Sequence, residues 1–478
     1  MDDNLKHMKI LEYIYVDGKF LRPDGEEYFE LINPSNNQMI GKVRLGNAMD
    51  TRKAIAAANK ALANFSSTDA QQRISYLQNL HDAVHSRKAD LLSAMVEEYG
   101  GTVQFSRMSV EGCLNSFQTA IEVLKEFEFE NKRGMTTIKK QAVGVAAIIT
   151  PWNASNSFIC SKLAAALSAG CTVVIKPSEM SALQTQVMME CIDKAGLPAG
   201  VVNVVNGKGD TVGAELSENP GIAKITFTGS TAVGKLIAKS AADTMKRVTL
   251  ELGGKSPFII LDDAELSLAI PQALQAAFIN SGQACMAATR LLVPLEKIEE
   301  VERLIVIQLK ELKVGDPKNE DTAIGPMVSV KQYERVQGYI ELGIKEGAKV
   351  LSGGLGHPEG LEKGNYVKPT IFSRVDNKMR IAQEEIFGPV LCIIPYSDEQ
   401  QAITIANDTV YGLHAFISAA NIEKATKVAS GIDAGRVSIN GFKHDPMAPF
   451  GGFKQSGIGR EFGSYGMESF LELKAVLN

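Results

Sequence analysis

The sequence has few of the residues that mark a disulfide framework or a metal site. Its 478 residues include six cysteines, and none of them forms a C-x-x-C pair. In a chain of this length, that scatter argues against disulfides or a zinc ribbon and is typical of a reducing cytosol. His81 and His85 have i,i+4 spacing, but no H-E-x-x-H motif surrounds them, so we expect a helix surface there. We expect no metal centre.

Clustered positive charge and long apolar runs are also missing. The net charge is −5 and no basic tract stands out, which gives no electrostatic reason to expect a nucleic-acid partner. The longest apolar run, residues 163–175, contains Ser and Gly and stops at Lys176, so it is too short to span a bilayer. The first residues, Met-Asp-Asp-Asn, are acidic where a signal peptide would be basic. We therefore expect a cytoplasmic protein without membrane association.

Largely apolar segments that alternate with helical stretches dominate the first half. The segments cover residues 143–149, 172–175, 201–205, 223–227 and 248–252. Apolar strands that alternate with helices predict a parallel sheet covered on both faces. The fold class is therefore α/β, with a Rossmann-like doubly wound domain. Residues 161–169 are predicted as a helix between the first two strands, and residues 49–124 as a helical region before the sheet.

The second half repeats this alternation with less clarity, which predicts a second α/β domain. Helices are expected at residues 268–279, 301–312 and 331–346, and strands at 291–294, 390–395, 415–418 and 435–440. Residues 127–140 are polar and β-leaning, with Arg133-Gly134 between two short strands, and predict an exposed hairpin. Asp17-Gly18 predicts a tight hairpin turn because such turns need positive φ.

One cysteine stands in a stretch of small residues. Residues 282–285 read Gly-Gln-Ala-Cys and lie between two apolar-rich segments. A single cysteine is more often a buried, inert residue than a nucleophile. From this stretch alone, Cys285 is no more than a candidate nucleophile.

A glycine-rich turn follows the fourth predicted strand. Residues 227–235 read Phe-Thr-Gly-Ser-Thr-Ala-Val-Gly-Lys, and a helical pattern starts within them. Backbone N–H groups at a helix start favour an anion. A P-loop would need Ser or Thr where Leu236 stands, and G-x-G-x-x-G is absent. A phosphate site and a structural turn both fit.

Polar side chains follow three of the other strands. Glu179, with Lys176, could hold the hydroxyl groups of an adenosine ribose, which would favour NAD over its 2′-phosphorylated form. Asn153 could stabilise an oxyanion. Glu251 precedes two glycines and could act as a general base. Each also fits an ordinary turn, cap or surface residue.

Seven motifs taken together resemble the aldehyde dehydrogenase superfamily, in its NAD(P)-dependent, hydrolytic branch. They occur in the order of that family and cover essentially the whole chain. The motifs are residues 151–153 (Pro-Trp-Asn), 176–179 (Lys-Pro-Ser-Glu), 227–230 (Phe-Thr-Gly-Ser) with Gly234, 251–255 (Glu-Leu-Gly-Gly-Lys), 282–285, 384–389 (Glu-Glu-Ile-Phe-Gly-Pro), and 449–452 (Pro-Phe-Gly-Gly) with Lys454, Ser456 and Gly457.

The resemblance implies that an aldehyde is oxidised to a carboxylic acid. Cys285 would add to the carbonyl, and Asn153 with the backbone N–H of Cys285 would form the oxyanion hole. A hydride would pass to the nicotinamide, leaving a thioester that water activated by Glu251 would hydrolyse. The cofactor implied is NAD, with NADP as an alternative.

The resemblance also implies a cofactor site and a substrate tunnel, made of residues in or next to the motifs. The cofactor residues are Ile149, Trp152, Lys176, Glu179, Phe227, Gly229, Ser230, Val233, Leu252, Glu385 and Phe387. The tunnel residues are Asn156, Ser157, Met286, Phe442 and Phe450. The tunnel residues are mostly neutral, which favours a neutral aliphatic or aromatic aldehyde.

The same resemblance implies a division into domains and a homodimer or homotetramer. Residues 1–122 and 144–253 would bind NAD, and residues 254–455 would form the catalytic domain. Residues 123–143 and 456–478 would be oligomerisation segments, with the hairpin 127–140 and the tail 470–478 at the subunit interface.

Three alternative functions remain open. A coenzyme A-acylating enzyme would not as a rule need the water-activating Glu251. An inactive binding protein should have lost Cys285, Asn153, Glu251 or Glu385. A nucleotide-free cysteine hydrolase would pair Cys285 with a distant histidine.

Overall fold

The structure, a computed structural model, describes residues 8–477. The acidic first residues and Asn478 lie outside this range. The strands of the described range, in chain order, are β1 Lys9–Leu11, β2 Ile14–Val16, β3 Lys19–Leu21, β4 Tyr28–Asn33, β5 Gln38–Arg44, β6 Glu130–Arg133, β7 Thr136–Ala142, β8 Val145–Ile149, β9 Thr172–Lys176, β10 Val202–Val204, β11 Lys224–Thr228, β12 Arg247–Glu251, β13 Pro257–Ile260, β14 Arg290–Pro294, β15 Lys349–Ser352, β16 Thr370–Ser373, β17 Val390–Tyr396, β18 His414–Ser418, β19 Arg436–Ile439, β20 Gly457–Ile458 and β21 Leu471–Leu477.

The α-helices connect and cover these strands. They are α1 Ala48–Ser66, α2 Ala70–Ser86, α3 Lys88–Ala94, α4 Val103–Glu126, α5 Ser155–Ala169, α6 Ala182–Lys194, α7 Ala214–Glu218, α8 Thr231–Ala242, α9 Leu266–Phe278, α10 Ile298–Leu309, α11 Val330–Lys345, α12 Arg380–Gln383, α13 Glu399–Asn407, α14 Ile422–Ser430 and α15 Gly463–Glu468. No helix of the described residues combines the length and the apolar character needed to cross a membrane.

The five strands predicted in the first half form the centre of an eight-stranded sheet, in the order β20-β12-β11-β8-β9-β10-β2-β3. The pairs from β12 to β10 are all parallel. Chain order reverses between β8 and β11, and ligands of doubly wound sheets bind at such a point, beyond the carboxyl ends of the strands. The Rossmann-like prediction is confirmed.

Alternate side chains of β8 enter different cores. Ala146 and Ile148 join the core shared with α2, α4 and α5, whereas Val145, Ala147 and Ile149 join the core under α1 and α8. Successive side chains of a strand point to opposite faces, so a strand buried on both faces has to be apolar throughout. This explains the continuous apolar runs in the sequence.

The second α/β unit is also confirmed. Its sheet has seven strands in the order β15-β16-β17-β14-β13-β18-β19, and all pairs except the antiparallel β15–β16 are parallel. A separate antiparallel sheet, in the order β21-β7-β6, joins the predicted hairpin to the C-terminal strand. The turn between β2 and β3 has positive φ at Asp17 (54°) and Gly18 (72°), as predicted.

Some boundaries differ from those predicted. Helix α5 begins at Ser155, six residues before the predicted start at 161, and its N-cap Ala154 makes no side-chain cap bond that the sequence could reveal. The helical region 49–124 contains α1 to α4 and a π-helical turn, Met95–Tyr99, which ends at Gly100 with a φ of 76°. Helix α10 lies three residues earlier than predicted.

Candidate active site

The carboxyl ends of neighbouring strands bring predicted residues to one edge of the first sheet. In register, Ile149 lies opposite Lys176 on β9 and opposite Phe227 on β11. Thr228 of β11 lies opposite Glu251, the last residue of β12. Parallel pairing therefore places residues from distant parts of the chain side by side.

Lys176 and Glu179 form an ion pair at this edge, with 3.1 Å between Nζ and Oε2. Lys176 is buried at the end of β9, and Glu179 begins the short 3₁₀ turn that follows. A partly buried carboxylate held by a lysine can accept hydrogen bonds from ribose hydroxyls.

Helix α8 starts beside this edge, and its first turn carries no acidic residue. Ser230 caps the helix and accepts a hydrogen bond from the N–H of Val233 at 3.3 Å. Two glycines allow close packing here: a Cβ at Gly229 would lie 2.4 Å from Phe227 Cζ, and one at Gly234 would lie 2.4 Å from Leu252 Cδ2. The free N–H groups and the positive end of the helix dipole suit a phosphate.

The loop that carries Cys285 has an unusual backbone. Asn280, Ser281 and Gly282 follow α9 with φ of 53°, 57° and 74°. Three successive left-handed residues are rare and cluster at functional sites. Gly282 has no room for a side chain, because a Cβ would lie 2.3 Å from the carbonyl carbon of Gly388.

Gln283 holds this loop to its surroundings. Its Oε1 accepts from the N–H of Val328 at 3.0 Å, and its Nε2 donates to the carbonyl oxygen of Pro326 at 3.3 Å. Its carbonyl oxygen accepts from Asn153 Nδ2 at 2.9 Å. An amide nitrogen carries two hydrogens, so this bond fixes the plane of the Asn153 amide and leaves one N–H for another acceptor.

Cys285 opens into a cavity of about 500 Å³, which is large enough for a small ligand. Seven of the predicted catalytic and cofactor residues line it besides Cys285: Trp152, Asn153, Gly229, Ser230, Leu252, Glu385 and Phe387. Glu251, Ile149, Lys176, Glu179, Phe227 and Val233 lie outside its wall, and Val233 is exposed on α8.

Glu385 and Phe387 form one side of the cavity. Glu385 Oε1 accepts from the N–H of Gly254 at 3.0 Å, and burial raises the pKa of this carboxyl. Phe387, at a φ of 63°, meets the Trp152 ring edge to face at 5.4 Å. Gly253 permits the close approach of Glu385, since a Cβ at Gly253 would lie 2.6 Å from Glu385 Oε2.

The surroundings of Cys285 favour the protonated thiol over the thiolate. Burial, and next the negative charges of Glu385 and Glu251, raise its pKa to about 12, while backbone N–H groups of Met286 and Cys285 act in the opposite direction. The sequence showed no cationic partner that would lower the pKa of Cys285, and in the structure its pKa is raised. Perturbed pKa values of this kind are typical of functional sites.

Glu251 is buried, and neither of its carboxylate oxygens has a hydrogen-bond partner within residues 8–477. Burial, followed by the charge of Glu461, raises its pKa well above the usual range, and the nearby charge of Lys162 opposes this shift. Gly451 leaves space at the carboxylate, because a Cβ there would lie 2.8 Å from Glu251 Oε1.

The family model described as "Aldehyde dehydrogenase family" matches residues 20–476. The chain belongs to the aldehyde dehydrogenase family. It is 46% identical over 472 residues to 3-succinoylsemialdehyde-pyridine dehydrogenase of a Pseudomonas species, a match that covers 98% of this chain and 99% of the relative.

Solved structures agree with this membership. Aldehyde dehydrogenase C of Pseudomonas syringae, a variant complexed with NAD+ and octanal, is 44% identical with a TM-score of 0.96, over 98% of this chain and 96% of that chain. The Mycobacterium tuberculosis aldehyde dehydrogenase complexed with NAD+ is 38% identical with a TM-score of 0.96, over 98% of this chain and 99% of that chain.

None of the five predicted tunnel residues of this aldehyde dehydrogenase lines the described 500 Å³ cavity. Asn156 is fully buried, and its Oδ1 accepts from the Ser109 hydroxyl at 2.9 Å and from the N–H of Ser157 at 2.7 Å. Ser157 and Met286 are half-buried.

The two aromatic tunnel residues lie in clusters of rings. Phe442 stacks on Phe416 at 5.8 Å, and Phe450 lies against Phe462 at 5.5 Å with the Arg436 guanidinium above it. The sequence places these five residues next to the motifs, but not on the wall of this cavity.

Other cavity residues were not predicted. Helix α11 contributes Gln332 and Arg335, which donate to the carbonyl oxygens of Phe387 at 2.8 Å and of Glu385 at 2.6 Å. Their i,i+3 spacing on a helix is the only local signal, and it is common to any helix face. Within residues 8–477 no three His, Cys, Asp or Glu side chains are grouped to hold a metal ion.

Proposed function

We propose that this aldehyde dehydrogenase oxidises a neutral aldehyde to its carboxylic acid with NAD, through a covalent intermediate on Cys285. The observation that carries the proposal is the shared cavity: the thiol, the Asn153 amide and the Glu385 and Phe387 side chains all line it. A nucleophile, an oxyanion donor and a cofactor wall are thereby within reach of one small ligand.

The residues at the sheet edge fit a dinucleotide. Ser230 and the N-terminus of α8 would hold the pyrophosphate, and Glu179 with Lys176 would hold the adenosine ribose. The NAD+ complexes of two similar structures support this choice. When bound, NAD+ accepts the hydride of the aldehyde.

The chemistry of the chain starts at the thiol. The Cys285 thiol first loses its proton to solvent water; the thiolate sulfur then adds to the carbonyl carbon, and the π electrons of the carbonyl move to its oxygen, which becomes an oxyanion. The free N–H of Asn153 and the backbone N–H of Cys285 would stabilise that charge. After oxidation, the acyl group remains on the sulfur as a thioester.

Glu251 would release the acid from the thioester. Its carboxylate accepts a proton from water, the resulting hydroxide attacks the acyl carbon, and the bond to sulfur breaks. A raised pKa makes Glu251 a stronger base than an ordinary carboxylate, which suits this step.

The variant Glu251→Gln tests the hydrolytic reaction. We expect a burst of one NADH per site followed by slow turnover, because acylation is retained and hydrolysis is lost. The matched control is Glu300→Gln, an exposed position on α10. Full steady-state turnover in Glu251→Gln would rule out Glu251 as the base, and turnover that depends on added coenzyme A would indicate an acylating enzyme.

Activity measurements with different cofactors and aldehydes can identify the preferred cofactor and the preferred aldehyde. Glu179 would repel a 2′-phosphate, so we expect kcat/KM for NAD to exceed that for NADP. One relative is named for 3-succinoylsemialdehyde-pyridine and another structure holds octanal, which supports neutral substrates. A panel of aldehydes at fixed NAD and fixed NADP measures both preferences.

We also propose that the enzyme is a homodimer or homotetramer of the cytoplasm. The sheet β21-β7-β6 and its β6–β7 turn expose Met135, Leu473 and Leu477 (76%, 72% and 80% exposed), which a second copy could cover. The six cysteines are free, as in a reducing compartment. Light scattering after size-exclusion chromatography measures the number of subunits.

A further inference from the structure

The orientation of the Asn153 amide depends on a second asparagine. Asn280 Nδ2 donates to the carbonyl oxygen of Asn153 at 3.0 Å and to that of Gln283 at 3.1 Å. The Gln283 carbonyl is also the acceptor for the Asn153 side chain. Asn280 therefore fixes the backbone of Asn153 and the acceptor that orients its amide.

The amide of Asn280 could face either way, because its oxygen and its nitrogen have similar shapes. Its Oδ1 accepts from the hydroxyl of Tyr99 at 2.7 Å. The two carbonyl oxygens can only accept, so the NH₂ group must face them, and Oδ1 is left to the Tyr99 hydroxyl, which donates to it. The same hydroxyl accepts from Gln283 Nε2 at 3.3 Å, which satisfies both of its hydrogen-bonding roles.

Tyr99 is itself held rigidly. It is fully buried, ends the π-helical turn Met95–Tyr99 and contacts Trp152 with ring centroids 5.7 Å apart. Its neighbour Glu98 anchors the turn by accepting from the N–H groups of Leu183 at 2.6 Å and Gln184 at 2.9 Å. π-Helical turns occur frequently at functional sites.

We propose that Tyr99 is a positioning residue for the oxyanion site and acts through Asn280. This inference rests on the proposed function only in taking Asn153 as the donor to the oxyanion. Without the hydroxyl, the buried Oδ1 of Asn280 has no donor from Tyr99, so the side chain that donates to the carbonyl oxygens of Asn153 and Gln283 is no longer held from its other side. Small displacements of a catalytic donor cost large factors in rate.

The variant Tyr99→Phe removes the hydroxyl and keeps the ring. Two reagents read the site without a nucleotide: p-nitrophenyl acetate acylates Cys285 through an oxyanion, and iodoacetamide alkylates it without one. We expect acylation to slow by about 10- to 100-fold. Alkylation should stay within about twofold, because the thiol itself is not displaced.

Tyr396→Phe is the matched control. Tyr396 is also buried, and its hydroxyl donates to the carbonyl oxygen of Ile260 at 2.6 Å, in the second α/β unit. We expect it to lower the melting temperature about as much as Tyr99→Phe but to leave both reactions unchanged. Equal slowing of acylation in the two variants, or equal slowing of acylation and alkylation in Tyr99→Phe, would overturn the proposal.

The variant Asn280→Gly tests whether Tyr99 acts through Asn280. Glycine tolerates the φ of 53° at this position, so the loop can keep its backbone. Acylation should slow at least as much as in Tyr99→Phe, and the double variant should be no slower than Asn280→Gly alone. Additive losses would show that Tyr99 acts independently of Asn280, against the proposal.

Failure of the proposed function has a different signature. If the wild type reacts with p-nitrophenyl acetate at Cys285 but forms no NADH with any aldehyde, the proposed function fails and the effect of Tyr99→Phe still decides the role of Tyr99. If the wild type is not acylated faster than Cys285→Ala, the oxyanion site does not operate and both fail.

Discussion

Cys285 and Glu251 are the two groups proposed to react in turn, but their surroundings hold them in opposite ways. The loop before Cys285 is fixed by paired polar groups, with Gln283 bonded through its side chain and its backbone. The Glu251 carboxylate has no hydrogen-bond partner among residues 8–477, although it is buried. The loop before Cys285 is held by several hydrogen bonds, and the Glu251 carboxylate is held by none among the described residues.

The difference corresponds to two kinds of chemistry. Donors that stabilise an oxyanion must already be in place when the charge forms, because reorganisation at that moment costs activation free energy. A base that takes a proton from water must be free to bind that water, and an unpaired carboxylate with a raised pKa is suited to it. We therefore expect the fixed and the unpaired groups to have separate roles.

The largest effect on rate should come from Asn153, whose amide is fixed by the loop before Cys285. Asn153→Ala removes the side-chain donor, so acylation of Cys285 should slow by about 10²- to 10³-fold. Stopped-flow measurement of the NADH burst tests this, with Asn407→Ala as the control, since Asn407 bonds Gly431 and Asp433 away from the cavity. A burst rate within threefold of the wild type would contradict the role of Asn153.

The thiol should respond steeply to pH. A pKa of about 12 means that the thiolate fraction grows tenfold per pH unit, so alkylation of Cys285 by iodoacetamide should rise about 100-fold between pH 7 and 9. The other cysteines are buried, so the rate reports Cys285. A plateau near pH 9, as for an ordinary thiol, would show that the NAD-free site does not raise this pKa.

Removing the hydrogen bonds of the Gln283 side chain should lower the stability of the folded protein. Gln283→Leu leaves the N–H of Val328 without its acceptor and removes the donor to Tyr99 and Pro326. Each unpaired buried group costs about 1–3 kcal/mol, so the free energy of unfolding should fall by about 2 kcal/mol or more. Urea unfolding measures this loss, with Gln71→Leu, at an exposed position on α2, as the control. Equal losses in the two variants would mean that the hydrogen bonds of Gln283 do not stabilise the fold.

A smaller effect is expected from changing a charge near the unpaired Glu251 carboxylate. The charge of Glu461 raises the pKa of Glu251, so Glu461→Gln should lower it, and the unpaired charge of Lys162 would act in the same direction. The base is active when deprotonated, so the acid limb of thioester hydrolysis should move down by about one pH unit. The control is Glu468→Gln, which is exposed and pairs with Lys140. An unmoved limb would exclude Glu461 as a cause.

Much of the fold could be predicted because periodicity is a local property. The apolar segments became the parallel strands β8 to β12, and Asp17-Gly18 formed the predicted turn. The start of α5 at Ser155 was missed since its cap makes no side-chain bond. The tunnel residues Asn156 and Phe442 are next to motifs in the sequence, but proximity along a chain does not decide which way a side chain points.

The sequence by itself determined the family, the order of the motifs and the identity of the groups that can react. Only the tertiary structure decided how those groups behave. The Tyr99–Asn280 bond joins positions 181 residues apart, and the raised pKa of Glu251 depends on burial and on Glu461. Burial, pairing and neighbouring charge are properties of the packed chain, because solvent exclusion and close contacts exist only after distant segments have come together.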